Sequence, residues 1–274
     1  MNLSQPAFNY IRRLLLEQSA IVLEEDKGYL VESRLSPLAR REGLASLDLL
    51  VRRLQTETFH GLHRQAVEAL TTHETSFFRD FHPFEALKKV VLPDLIARRG
   101  AERGLNIWCA ACSYGQEPCS IAMLIRDSFP QLASWTVHIL ATDLSADVLA
   151  RAREGRYSQL EVNRGLPASL LVKYFQKRGC DWYLRDAIRR SVDYQVINLA
   201  GAWPFLPPMD VVMLRNVLIY FGVETKKEIL AKVRRVLKPD GYLFLGGAET
   251  TFSIDDSFER VQLERATCYQ LRKT

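Results

Sequence analysis

Cysteine is scarce and poorly arranged for either metal or disulfide chemistry. There are five, an odd number. Cys109-Ala-Ala-Cys112 has the spacing of a redox motif or of half a zinc site, yet no second Cys-x-x-Cys follows. Cys119, Cys180 and Cys268 are scattered, and no nearby histidine completes a four-ligand set, so the expectation is free thiols in a reducing compartment and no metal. Long apolar runs are missing as well. Nothing approaches the roughly 20 residues a membrane span requires, and Met1 to Phe8 lacks the charged, apolar, then small-residue order of a signal peptide. These absences predict a cytoplasmic chain with no direct membrane insertion. Also missing is a G-x-G-x-x-G turn, which argues against a cofactor whose pyrophosphate rests on a helix N-terminus.

What is present is ordinary globular composition: 274 residues, 47% hydrophobic and 25% charged, enough for one large domain or two smaller ones. The first seventy or so residues read as successive amphipathic helices. Phe8, Ile11, Leu15 and Val22 are expected on one face, Leu47, Leu50, Val51 and Leu54 on a stripe capped by Ser46, and Leu62, Ala66 and Leu70 on a third. After Gly104 the texture changes to apolar strands alternating with helices, the pattern of a mostly parallel sheet covered on both faces. Strands are expected at 105–110, 137–144, 194–199, 210–214 and 242–246, helices at 118–126 and 224–237, and a closing hairpin at 260–263 and 267–271. The stretch from Arg151 to Asp193 exceeds one crossover helix and should hold an inserted subdomain, with one or two short strands around Trp182, Tyr183, Leu184 and Ile188.

The net charge of +5 is unevenly distributed. Bases outnumber acids from Arg151 to Arg190, and an acid-free run from Ser33 to Arg41 carries Arg34, Arg40 and Arg41. Such runs are either solvated faces or docking surfaces. Lys27, Arg34 and Arg41 recur every seven residues and would share a face on a continuous helix, although Pro37 is expected to kink or end it.

In an open parallel sheet, ligands sit beyond the carboxyl ends of the strands near the point where strand order reverses. The first strand and turn, Ile107 to Pro118, are therefore the place to look. The small residues Ala110, Ala111, Ser113 and Gly115 let a ligand approach backbone, and Pro118 suits a first helical position. Asp143 ends the second strand. It could accept both hydroxyls of an adenosine ribose or cap the helix starting near Ser145. With a glycine-poor first turn, it favours S-adenosylmethionine over a nicotinamide cofactor.

Four separated segments carry a sharper likeness: Thr71-Thr-His-Glu-Thr-Ser-Phe-Phe-Arg79-Asp, Gly115-Gln-Glu-Pro-Cys-Ser120, Ala141-Thr-Asp143 and Leu214-Arg-Asn-Val-Leu-Ile-Tyr-Phe221. Together with Leu237-Lys-Pro-Asp-Gly241 running into an apolar strand, they make the chain resemble the chemotaxis protein methyltransferase (CheR) family over nearly its whole length. The resemblance implies an α/β fold: a Rossmann-like S-adenosylmethionine methyltransferase sheet with an N-terminal all-helical domain (1–76), a methyltransferase domain (77–274) and a small inserted subdomain (about 153–193).

The resemblance also implies cofactor contacts from His73, Thr75, Arg79, Glu117, Asp143, Asn198, Leu199, Arg215 and Asn216. It places Tyr220 near the reacting methyl group, with Arg79 and Tyr220 positioning the acceptor and no general base. The family commonly has asparagine at the position of His73. The implied activity is methyl transfer from S-adenosylmethionine to glutamate carboxylates in the cytoplasmic helical region of transmembrane chemoreceptors, leaving S-adenosylhomocysteine. Lys27, Arg34, Arg40 and Arg41 are candidates for docking that region, and a monomer with no nucleic-acid partner is expected. Competing readings are a nucleic-acid methyltransferase, favoured by the basic stretch 151–190, and a non-enzymatic receptor-binding scaffold on the same fold.

Overall fold

The computed structural model describes residues 3–273 and resolves into two compact units. One comprises Met1–Thr72 with Tyr220–Thr225, the other His73–Ile219 with Lys226–Thr274. The division therefore falls at Thr72/His73, four residues before the expected 76/77, and Tyr220 groups with the helices.

The helical unit contains α1 (Gln5–Ser19), α2 (Gly28–Arg41), α3 (Leu47–Thr56) and α4 (Gly61–Leu70). In α3, Leu47, Leu50, Val51 and Leu54 are all buried and the Ser46 hydroxyl accepts from Leu49 N, as the stripe and cap predicted. Leu62, Ala66 and Leu70 are likewise buried along α4. The first face is shorter than expected. Phe8, Ile11 and Leu15 are buried, but α1 ends at Ala20 with a left-handed φ of 57°, and Val22 lies beyond it, exposed.

Of the two expectations for Pro37, that it would end α2 is corrected: the helix runs through it to Arg41. Proline removes one backbone donor, but Pro37 faces outward while Val31, Leu35, Leu38 and Ala39 are buried, and that burial offsets the lost bond.

In the second unit, β1 (Gly104–Ala110), β2 (Thr136–Asp143), β6 (Val192–Val196), β7 (Met209–Leu214), β8 (Leu237–Leu245), β9 (Phe258–Leu263) and β10 (Ala266–Leu271) form one seven-stranded sheet in the order β6-β2-β1-β7-β8-β10-β9. The first five strands of that order are parallel, and β10 and β9 join antiparallel as the terminal hairpin. Every residue of β7 is buried, as a central strand covered on both faces requires. The chain moves outward from β1 to β2 and β6, then returns to the other side of β1 for β7 and β8. The reversal thus lies between β1 and β7, and the carboxyl ends of those strands open the crevice in which ligands bind.

The covering helices are α5 (His82–Ala86), α6 (Leu92–Arg98), α7 (Gln116–Ser128), α8 (Ala146–Glu154) and α12 (Val223–Val236). The inserted segment holds α9 (Gln159–Asn163), α10 (Ala168–Tyr174) and α11 (Asp186–Arg189) around a separate three-stranded sheet of β3 (Arg156–Ser158), β5 (Asp181–Leu184) and β4 (Phe175–Arg178). Two corrections follow. The third main-sheet strand stops at Val196, so Asn198 and Leu199 lie in the loop beyond it, and Ile188 belongs to a helix instead of a strand.

Candidate functional site

The turn between β1 and α7 is built on unusual backbone. Ala111 and Ser113 adopt positive φ of 56° and 53°, a region that favours glycine. Gly115 has φ 84°, and a Cβ there would stand 2.8 Å from the Tyr194 hydroxyl, so only glycine fits. Burial holds the turn in this shape. The Tyr157 hydroxyl, from the inserted sheet, donates to Tyr114 O at 2.9 Å, and Cys112 N donates to Thr142 O at 2.8 Å. Pro118 is the third residue of α7, not the first, because Gln116 and Glu117 already belong to the helix.

Asp143 closes β2 with its carboxylate almost fully buried. One oxygen accepts from Ser113 N at 2.9 Å, the other from Ser145 N at 3.1 Å. Capping of α8 falls to Ser145, whose hydroxyl accepts from Val148 N. Asp143 is therefore not the helix cap. Each of its oxygens keeps acceptor capacity for a ribose hydroxyl.

A second carboxylate lies across the turn. Glu117, buried in the first turn of α7, accepts from Arg215 Nη1 at 2.7 Å, and Arg215 Nη2 reaches Asp80 Oδ2 at 2.7 Å and the carbonyl of Arg79 at 2.9 Å. Burial pushes the Glu117 carboxyl up from its ordinary value, while Arg215, then Arg79, oppose that rise. The Arg215 side chain is 2% exposed and its Nε has no partner among the described residues, nor does the buried Gln116 Oε1. Orphaned buried polar atoms beside a ligand crevice are places where a bound group completes the hydrogen bonding.

Arg215 thus joins the junction segment, the start of α7 and the end of β7. Ser113 Oγ donates to His73 O at 2.9 Å and Phe78 N to Ser120 Oγ at 3.0 Å, so the junction segment is stitched to the same turn. Thr75 is half-buried in that segment, and Arg79 turns its guanidinium to Glu74 O at 2.8 Å.

Beyond β6, Asn198 folds on itself, its Oδ1 accepting from Ala200 N at 3.0 Å. The buried Leu199 gives its carbonyl to Lys232 Nζ at 2.8 Å. Lys232 also reaches Gly201 O at 2.8 Å, and burial depresses its pKa. This lysine, on the outer helix α12, escaped the sequence reading because nothing in its local pattern separates it from a solvated base.

So did Glu249. Its two oxygens accept from Gly246 N (2.6 Å), Asn216 N (2.7 Å), Val217 N (2.8 Å) and Ile219 N (3.2 Å), binding the loop after β7 to the loop after β8. Asn216 is held at φ 58°, and a Cβ on Gly246 would stand 2.7 Å from Glu249 Oε2. The available signal was a lone carboxylate three residues after a strand-ending glycine at the ligand edge of the sheet.

The remaining expected residues lie in the helical unit. Tyr220 is half-buried in a short turn, its carbonyl accepting from Val22 N at 2.9 Å. Of the four candidate docking bases, three are already engaged within the unit. Lys27 pairs with Asp26 at 3.0 Å and Glu24 at 3.6 Å, and Arg34 donates to Leu70 O (2.5 Å), Thr71 O (2.9 Å) and Thr72 Oγ1 (3.0 Å). Lys27 also precedes α2, so the seven-residue alignment on one helix face does not form. Arg40 and Arg41 are exposed and have no carboxylate partner among the described residues, though Arg41 donates to Gln65 Oε1.

Sequence comparison decides what this arrangement belongs to. The model of the CheR methyltransferase SAM-binding domain matches residues 73–267, and that of the CheR methyltransferase all-alpha domain matches residues 6–71. The chain belongs to the CheR methyltransferase family. It is an S-adenosylmethionine-dependent methyltransferase, with that sulfonium compound as its cofactor.

The family likeness extends end to end. Chemotaxis protein methyltransferase 1 of Pseudomonas aeruginosa is 42% identical over 99% of this chain and 100% of its own length. Chemotaxis protein methyltransferase Cher2 of Pseudomonas putida is 42% identical over 97% and 98%. The Escherichia coli chemotaxis protein methyltransferase is 34% identical over 99% and 92%. The residues of the CheR sheet unit fit the cofactor: each Asp143 oxygen accepts one hydrogen bond and has a lone pair to spare, and Gln116 and Arg215 offer buried polar atoms still lacking partners among the described residues.

Proposed function

We propose that this CheR-family enzyme transfers a methyl group to glutamate side chains on the cytoplasmic helices of a membrane chemoreceptor, forming methyl esters in chemotactic adaptation. The observation carrying this reading is the end-to-end match, through both units, to proteins named chemotaxis protein methyltransferase. The cofactor, when bound, supplies a methyl group activated by its sulfonium. Glutamate, with an ordinary pKa of about 4.3, is ionised at neutral pH and needs no general base.

The protein's own contribution is then positional. Asp143 takes the ribose hydroxyls, Glu117 and Arg215 fix the turn beside them, and Arg79 and Tyr220 orient the acceptor carboxylate without binding it so tightly that the ground state is stabilised. Exclusion of water favours the transfer, because carboxylate attack on a sulfonium neutralises two charges that water solvates best when separate. Arg40 and Arg41 remain candidates for meeting an acidic receptor helix.

The basic stretch that favoured a nucleic-acid substrate is largely engaged internally. Arg151 pairs with Glu161 and stacks on Tyr114, Arg164 pairs with Glu74, Lys173 with Asp127, and Arg189 and Arg190 with Asp186. Incubation with radiolabelled S-adenosylmethionine and receptor-containing membranes tests the proposal. The expected product is a receptor-bound label released as methanol by mild base. Label that survives base, or that follows RNA in place of receptor, would falsify it.

A further inference from the structure

Asp143 and the Ala111–Glu117 turn lie on the β1–β2 half of the carboxyl edge, Arg215 stands at its border, and beyond it the edge carries a further cleft. Beyond the ends of β7 and β8, against the β9–β10 hairpin, lies a cleft of about 400 Å³ lined by Arg215, Gly246, Glu249, Arg260, Arg265 and Thr267, with Asp80 and His82 at its side. The hairpin register pairs Arg260 with Tyr269 and Gln262 with Thr267. Side chains alternate between faces along a strand and directly paired residues share a face, so Arg260 and Thr267 lie on one face, and Arg265, in the turn that joins the strands, lines the same cleft. Glu259, one residue from Arg260, falls on the opposite face.

The charges in the lining do not cancel. Asp80 is bound by Arg215, and Glu249 is occupied by four backbone N–H groups. Glu264, in the hairpin turn, points to Lys89 at 3.9 Å. Arg260 donates only to the neutral Thr267 hydroxyl at 3.1 Å, and Arg265 has no hydrogen bond or ion pair among the described residues. Two exposed guanidinium groups therefore stand on the hairpin beside the crevice without a carboxylate.

We propose that Arg260 and Arg265 are a docking site for the acidic flank of the protein acceptor: carboxylates neighbouring the glutamate that receives the methyl group. The inference rests on the glutamate-methylation reading above. Guanidinium forks bind carboxylates bidentately, and on a helical acceptor, acidic residues three or four positions from the target glutamate lie on the same face. Contact there sets the register of the acceptor along the carboxyl edge while the target residue itself reaches the cofactor half.

The test is steady-state kinetics of the full-length enzyme on receptor-containing membranes. R260A/R265A is expected to raise the acceptor KM roughly fivefold, the effect of two rim ion pairs, and to flatten its salt dependence. Cofactor affinity by calorimetry and kcat should stay at the parent values, and R260K/R265K should recover most of the acceptor affinity. An acceptor KM equal to the parent's in R260A/R265A overturns the site. So does loss of kcat together with cofactor binding, which would mark the arginines as structural, or parental binding to anionic lipid vesicles without receptor that the double variant abolishes, which would mark a lipid contact. A parent enzyme that esterifies no glutamate refutes the underlying function instead, and is distinguished because it fails before any variant is compared.

Discussion

Asp143 shows what one residue's surroundings add to its identity. At the end of an apolar strand, a carboxylate before a serine reads equally as a helix cap or a ribose acceptor. The distinction appears only when Ser145 is seen to cap α8 and Asp143 to bridge Ser113 N and Ser145 N with lone pairs remaining. D143A should weaken S-adenosylhomocysteine binding by roughly 10- to 100-fold in calorimetry, the size of lost hydrogen bonds to a charged acceptor. An unchanged dissociation constant would return Asp143 to a structural role.

Cysteine chemistry is also decided residue by residue. Cys109 and Cys112 are buried, and burial raises both thiols well above their ordinary value, helped by Glu117 at Cys109 and by Asp143 and Glu117 at Cys112. Cys119 is pushed to about 11 by burial. Thiols so placed are neither nucleophiles nor ready metal ligands at neutral pH. Native-state alkylation followed by mass spectrometry should label the exposed Cys180 alone, whereas denatured protein should take up label at all five. Rapid native labelling of the Cys109–Cys112 pair would contradict this account.

Among elements, those with strong local periodicity were legible in advance. The stripes of α3 and α4, the buried run of β7 and the terminal hairpin all form where apolar spacing placed them. The inserted subdomain was legible only in part: its place and the strand at Asp181–Leu184 were expected, but β3 and β4 were not, being three and four residues long and held by contacts far apart in sequence, Arg156 pairing with Tyr183 and Phe175 with Leu184. Glu249 was missed for the same reason, since the four N–H groups it satisfies come from two loops about thirty residues apart. E249A should reduce kcat/KM for the cofactor by roughly 10- to 100-fold, because the Arg215–Asn216 backbone loses its charged acceptor, and E249Q should restore part of that. Equal kcat/KM in parent and E249A enzymes would remove the positioning role.

The amino end of the sheet carries the opposite kind of element, an ion-pair network with a structural task. Asp210, fully buried at the start of β7, accepts from Arg99 (2.8 Å), Lys238 (2.9 Å) and Asn106 N (2.9 Å), while Arg99 also binds Asp240 at 2.6 Å. Removing Asp210 leaves Lys238 without its carboxylate, Arg99 with Asp240 alone and Asn106 N without its acceptor, so D210A should lose ~3–5 kcal/mol in urea unfolding.

Asp240 gives the network its pH dependence. Hydrogen bonds from Arg99 draw its carboxyl from 3.8 down to about 2. A depressed acid stabilises the fold above its unfolded pKa and loses that contribution as pH falls through the folded one. D240N should therefore flatten the stability profile between pH about 4 and about 2, by an amount reduced by solvent screening because Asp240 is 42% exposed. A parental profile in D240N would show that the pair contributes nothing.

At the scale of the whole molecule, the two compact units coincide with two family domains, all-alpha and SAM-binding; the change in texture after Gly104 announced two kinds of structure, whereas their boundary at Thr72/His73 lies earlier, inside helical sequence. What the sequence could not locate is which basic groups face outward. Of the candidate docking bases, Lys27 and Arg34 turn to partners in their own unit, whereas Arg260 and Arg265, unremarked in a hairpin, stand uncompensated. Charge counts along a chain do not distinguish these cases, because pairing is set by neighbours distant in sequence.

The account depends on a single cofactor crevice at the carboxyl edge between β1 and β7. A crystal structure with S-adenosylhomocysteine tests it most directly. The ribose hydroxyls should lie on the Asp143 carboxylate, with the ligand running along the Ala111–Gly115 turn beside Glu117 and Arg215. An adenosine bound elsewhere, with Asp143 still contacting only Ser113 and Ser145, would contradict the account.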